Sequence, residues 1–125
     1  MIGISKLYFG TVEASDRLRY RKGVHRRPVV VWNCTPACNL ACSHCYAACA
    51  GEQRVLTTDQ ARAVIDDLAA FGVPVILFSG GEPFLRPDIR TLAAHAKARG
   101  IRVTFSTNGT LIDDAWADCP SLPVG

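Results

Sequence analysis

Apolar positions along the chain repeat in two alternating patterns. Pro28 opens Val29-Val30-Val31-Trp32, a β-branched run that predicts a buried parallel strand. From Thr57 to Phe71, Ala61, Val64, Ile65 and Leu68 recur at i, i+3, i+4 and i+7, which predicts an amphipathic helix. Thr57 and Gln60 have capping-box spacing at its start, and Gly72 suits its end. Val73–Phe78 is a second apolar run and a second expected strand. Pro87 suits a first helical turn, and Ile89, Leu92, Ala93 and Ala96 form one stripe that stops at Gly100. Ile101–Phe105 reads as a third strand, and a helix is expected to begin near Asp113 and to be stopped by Pro120 and Pro123. Strand, helix, strand, helix, strand with short connections predicts βαβ units on a parallel sheet.

This pattern divides the chain into a leader over 1–27, a core over 28–118 and a short tail over 119–125. Ile2, Ile4, Leu7 and Phe9 are compatible with a strand in the leader. With 125 residues there is room for one domain, and 49% hydrophobic against 20% charged residues permits a core. The formal charge of +3 is too small an excess to argue for nucleic acid. No apolar run approaches the roughly 20 residues of a membrane span, and the first residues do not read as a signal peptide. A cytoplasmic setting is the expectation. Six basic residues and no acid lie between Arg17 and Arg27, which suits either a solvated linker or contact with an anionic partner.

Five of the six cysteines fall between Cys34 and Cys49. In a reducing compartment, clustered thiols point to metal rather than to disulfides. Cys38, Cys42 and Cys45 form Cys-x3-Cys-x2-Cys on the segment that leaves the first strand. Three thiolates so spaced can hold three corners of a [4Fe–4S] cluster and leave one iron open to a small molecule. Zinc is the competing ligand, although structural zinc sites pair two short knuckles across a longer spacer. Cys34, Cys49 and Cys119 are expected to be packed or unpaired thiols, Trp32 to be core, and His25 and His95 to lie on the surface. Tyr46 could pack near the cluster or fill space.

The motif resembles the signature of the radical S-adenosylmethionine (SAM) superfamily, Cys-x3-Cys-x-Φ-Cys, with His44 at the usually aromatic position. Gly80-Gly81-Glu82-Pro83 after the second strand is similar to that family's GGEP segment, and Ser106-Thr107-Asn108-Gly109 after the third to its STNG segment. The resemblance implies a partial (β/α) barrel, truncated to about its first three βα units. It implies a [4Fe–4S] cluster on Cys38, Cys42 and Cys45. It also implies SAM contacts from His44, Gly80, Gly81, Glu82, Pro83, Ser106 and Asn108. The family's chemistry is reductive cleavage of SAM to a 5′-deoxyadenosyl radical, with electrons from a ferredoxin- or flavodoxin-like donor. On this reading the glycines let the backbone approach SAM and Glu82 faces its ammonium, so Gly81→Val and Glu82→Ala should weaken SAM binding while leaving the cluster intact.

Met1–Tyr20 and Pro28–Asn33 resemble the N-terminus of haem-pathway members, which act in haem d1 synthesis and in the siroheme-dependent route to haem. An anionic iron tetrapyrrole is the substrate this implies. A peptide- or sulfatase-maturing enzyme, and a non-catalytic iron–sulfur or zinc module, are the alternatives. Family members carry about six βα units, so a chain with three is expected to be a truncated product, inactive alone.

Overall fold

The computed structural model describes residues 27–45 and 54–117. Three parallel strands, β1 (Val30–Thr35), β2 (Val75–Gly80) and β3 (Arg102–Phe105), lie in the order β1-β2-β3. Helix α1 (Thr58–Phe71) links the first pair and α2 (Ile89–Ala98) the second, with one 3-10 turn at Pro83–Leu85. A short helix, α3 (Asp114–Ala117), follows β3. The sheet is open and does not close into a barrel. It is the partial α/β arrangement that the alternating pattern implies.

Each element has a local cause. The Thr57 hydroxyl accepts from the Gln60 amide while the Gln60 side chain accepts from the Thr57 amide, so α1 begins at a complete capping box. It ends at Gly72, whose N–H closes on Ala69 and Leu68. Strand β2 starts two residues later than its apolar run because Pro74 has no amide to donate. Pro87 stands before α2 rather than inside it, and Asp88 is the residue at the helix entry.

Both helices cover one face of the sheet. Register puts Val30, Ile76 and Val103 in one row and Trp32, Phe78 and Phe105 in the next. Against these rows pack Ala61 and Ile65 of α1 and Ile89, Leu92, Ala93 and Ala96 of α2. Trp32, Phe78 and Phe105 sit at 5.7 Å spacing across the strands. Trp32 is half-buried, at the margin of the core rather than within it. The opposite face is bare at β1, where Val29 and Val31 are 59% and 60% exposed. Among the described residues β1 is thus an edge strand with alternating burial, not the doubly covered strand that its run of valines predicts.

One further expectation changes. His95 is half-buried against Asp66 of α1 (Nε2 to Oδ1, 2.6 Å), and Arg99 Nε approaches the same oxygen at 2.9 Å, so the histidine ties the two helices together. The end of β3 is not left without cover. Trp116 of α3 lies 4.3 Å from Phe84 and 6.3 Å from Phe105, with the Arg90 guanidinium 4.0 Å over its ring. Asp113 accepts from the Trp116 amide and starts this helix where the sequence predicts it. Cys49, Cys119, Tyr46, His25, Pro120, Pro123 and the leader strand lie outside the described residues.

Candidate active site

The C-terminal ends of all three strands converge on one edge of the sheet. Strand β1 runs through Cys34 to Thr35, so Cys34 belongs to the strand and not to the loop beyond it. The partner of Asn33 is Ser79 and that of Thr35 is Gly80, which leaves Cys34 as one extra residue, a bulge at the mouth of the site. Cys34 is 3% exposed, and burial, partly offset by Arg86, pushes its thiol up to about 11. At neutral pH it is a protonated, packed thiol. The thiolate is the metal ligand, so Cys34 is poorly suited to that role.

Beyond Thr35 the chain turns onto the glycines that end β2. The Gly81 amide donates to the Thr35 carbonyl (2.8 Å) and the Glu82 amide to the Ala37 carbonyl (2.7 Å). The Thr35 hydroxyl accepts from the Ala37 amide at 3.2 Å. A Cβ on Gly81 would lie 2.2 Å from the Ala37 oxygen and 2.7 Å from the Pro36 oxygen. One on Gly80, where φ is +131°, would lie 2.3 Å from the Thr35 oxygen. The paired glycines are therefore needed by the cysteine loop itself, which lies flat on their backbone.

That seating shapes a hollow of about 350 Å³ lined by Pro36, Cys38, Leu40, Ala41, Cys42, Cys45 and Gly81. All three cysteines of the motif reach it, each as a free thiol, and its other walls are apolar. The thiols stand around the hollow. Among the described residues no three Cys, His, Asp or Glu side chains are grouped to hold a single metal ion. A donor set of three soft thiols around one roomy hollow fits an iron–sulfur cluster.

Glu82 is 0% exposed and is not among the residues that line the hollow. One oxygen accepts from the Phe84 amide (3.0 Å) and the Thr107 hydroxyl (2.8 Å), and the other from the Asn108 amide (2.8 Å). It therefore joins the GGEP segment to the STNG segment, with three of its lone-pair sites taken up within the chain. Asn108 carries the link onward. Its side-chain Nδ2 donates to the Asn39 Oδ1 (2.8 Å), while its Oδ1 accepts from the Thr110 backbone amide and hydroxyl. Asn39, inside the first cysteine spacing, donates in turn to the Thr110 hydroxyl (2.7 Å). His44 and Ser106 are exposed on the same edge, and Pro83 is buried beneath it.

Glu82→Gln should accordingly loosen the junction. An amide nitrogen replaces one acceptor and meets an N–H or O–H donor, costing about 2 kcal/mol. Chemical denaturation of the isostere against the parent chain measures this. Unchanged stability would show that the three bonds carry no weight.

Arg86, Asp88, Thr35 and Asn39 were not marked by sequence. Arg86 and Asp88 sit just past the GGEP segment and meet at 2.7 Å. Burial alone would raise the Asp88 carboxyl, but hydrogen bonds from Arg86 and Thr58 and the guanidinium charge outweigh it and hold it below the usual value. Its stabilising contribution is present above the ordinary carboxylate range and is lost as pH falls through the lowered value.

The comparisons with known proteins agree with this geometry. The radical SAM superfamily pattern matches residues 32–119. The chain is 54% identical over 131 residues to the Fe-coproporphyrin III synthase of Methanosarcina barkeri, covering 94% of this chain and 33% of that protein. It is 45% identical over 97 residues to the pre-heme d1 synthase of Dinoroseobacter shibae, covering 74% of this chain and 23% of that one. Against the AdoMet-dependent heme synthase of Methanosarcina barkeri it is 44% identical over 89 residues, covering 67% and 25%. The chain thus spans a third or less of the length of these relatives. With the family pattern running through all three strand ends, the chain belongs to the radical SAM superfamily.

Proposed function

We propose that this chain is the cluster- and SAM-binding part of a radical SAM enzyme that modifies a side chain of an iron tetrapyrrole. The observation that carries the proposal is the single hollow ringed by Cys38, Cys42 and Cys45 and floored by Gly81. Those thiolates would hold a [4Fe–4S] cluster through three of its irons. When bound, cluster and SAM together supply the electron transfer and carbon–sulfur cleavage that begin radical chemistry.

The protein's own part is placement. Pro36, Leu40 and Ala41 supply the apolar side chains of the hollow's wall. The backbone of Gly81 borders it, with Gly80, Pro83, His44, Ser106 and Asn108 as the remaining candidates for SAM contact. Glu82 holds the two segments together. No described helix is long and apolar enough to cross a membrane. A cytoplasmic location and a ferredoxin- or flavodoxin-like electron donor complete the proposal.

The tetrapyrrole assignment draws on the 54% identity to an Fe-coproporphyrin III synthase, which extends over nearly the whole chain, leader included. The basic stretch from Arg17 to Arg27 has the charge to meet substrate carboxylates. Because the chain matches only a third of that relative, it is not expected to turn over alone.

A chimera tests both halves of the proposal. This chain replaces the corresponding segment of the Methanosarcina barkeri Fe-coproporphyrin III synthase, which is then reconstituted anaerobically and assayed. SAM cleavage together with formation of Fe-coproporphyrin III is expected. A folded, cluster-loaded chimera that leaves SAM intact overturns the radical assignment. Cleavage without tetrapyrrole product overturns the substrate.

A further inference from the structure

Arg86 is a long, charged side chain that is only 4% exposed, and it lies outside the hollow. Its backbone is set by the 3-10 turn, since its amide donates to the Pro83 carbonyl and its carbonyl accepts from the Ile89 amide. From there the guanidinium reaches three separate partners. Nη1 donates to the Cys34 carbonyl at 2.7 Å. Nη2 donates to the Leu56 carbonyl at 2.9 Å. Nε and Nη2 grip the two oxygens of Asp88 at 2.7 and 3.0 Å. Thr58 at the start of α1 donates to the same carboxylate at 2.7 Å.

The two carbonyls are the two ends of one segment. Cys34 is the bulge from which the chain leaves β1, and Leu56 is where it returns to start α1. All three cysteines of the motif lie between them. The bulge leaves Cys34 without a register partner, and a buried carbonyl without a donor is costly; Arg86 supplies that donor. Closing a segment of about 20 residues also carries an entropic cost, which a shared partner at both ends offsets.

We propose that Arg86 is a positioning residue whose guanidinium clasps both ends of the cysteine-bearing segment, with Asp88 holding the clasp in orientation. This rests on reading Cys38, Cys42 and Cys45 as cluster ligands. A planar fork is required. Lysine offers one compact ammonium and cannot span two carbonyls and a carboxylate at once.

The test uses the chain itself, without iron, as the parent and as Arg86→Lys. The amides of Gly81 and Glu82 donate to the Thr35 and Ala37 carbonyls, so their hydrogen exchange reports whether the segment is seated. In the lysine variant they are expected to exchange about tenfold faster, the loss of one charge-assisted bond. The amides of Ile76 and Phe78 in β2 should keep their parental rates. Iron bound after anaerobic reconstitution should fall in parallel. Parental protection at Gly81 and Glu82 overturns the clasp, and so does uniform acceleration throughout β2, which marks a general loss of stability.

If the lysine variant does not fold, Asp88→Asn carries the same comparison. It keeps the arginine and removes its carboxylate partner. Faster exchange confined to Gly81 and Glu82 is then expected, and parental rates refute the proposal. If the parent chain binds no iron, the cluster reading fails while the exchange data still decide on the clasp.

Discussion

Alanine at Cys38, Cys42 or Cys45 should each reduce bound iron to background after anaerobic reconstitution, whereas Cys34→Ala should keep it. The three motif thiols share one hollow, and a site that already leaves one iron without a protein ligand has none to spare. Cys34 faces the core instead, 3% exposed and protonated at neutral pH. Its replacement removes a small apolar contact, costing roughly 1 kcal/mol, with no donor lost from the hollow. Iron per chain, measured for all four variants beside a thermal midpoint, separates the two effects. Equal iron loss at Cys34 would mean that the ligand set is wrong.

Gly81→Val should lose the cluster along with SAM binding. A valine Cβ would fall 2.2 Å from the Ala37 oxygen, and the nearest atoms are all backbone, which cannot swing aside. The segment must lift, breaking the bonds from Gly81 to Thr35 and from Glu82 to Ala37. Overpacking and two lost hydrogen bonds together cost about 3 kcal/mol, concentrated at the floor of the hollow. Iron content is again the readout, with circular dichroism to confirm that the helices persist. A valine variant with full iron and a missing SAM response would restore the simpler view, in which the glycine makes room for SAM alone.

That contrast shows what is legible in a sequence and what is not. Periodicity placed α1 and α2 because a helix with one covered face must repeat its apolar residues, and Thr57 with Gln60 marked a real cap. The cysteine spacing marked the site because ligands to one cluster are close in the chain. By contrast, Glu82 was legible as an acid but not as one with partners in the chain, since Thr107 and Asn108 come from the segment that follows another strand. Gly81 was legible as a close approach, but which backbone approaches depends on how the segment after β1 folds back. Arg86 reads as an ordinary basic residue. Its contact with Cys34, 52 positions away, depends on a bulge that leaves no pattern in the sequence. The valines of β1 misled because an edge strand and a covered one have the same β-branched composition, and only the neighbours differ.

The most direct measurement is the electron paramagnetic resonance spectrum of the chain, reconstituted with iron and sulfide, reduced, and recorded before and after addition of SAM. Three thiolates around an open hollow leave one iron for an outside ligand, so the expected spectrum is that of a reduced [4Fe–4S] cluster whose g-values shift when SAM is added. A fully loaded, reduced cluster whose spectrum is the same with and without SAM would contradict the assignment of this hollow as a radical SAM site.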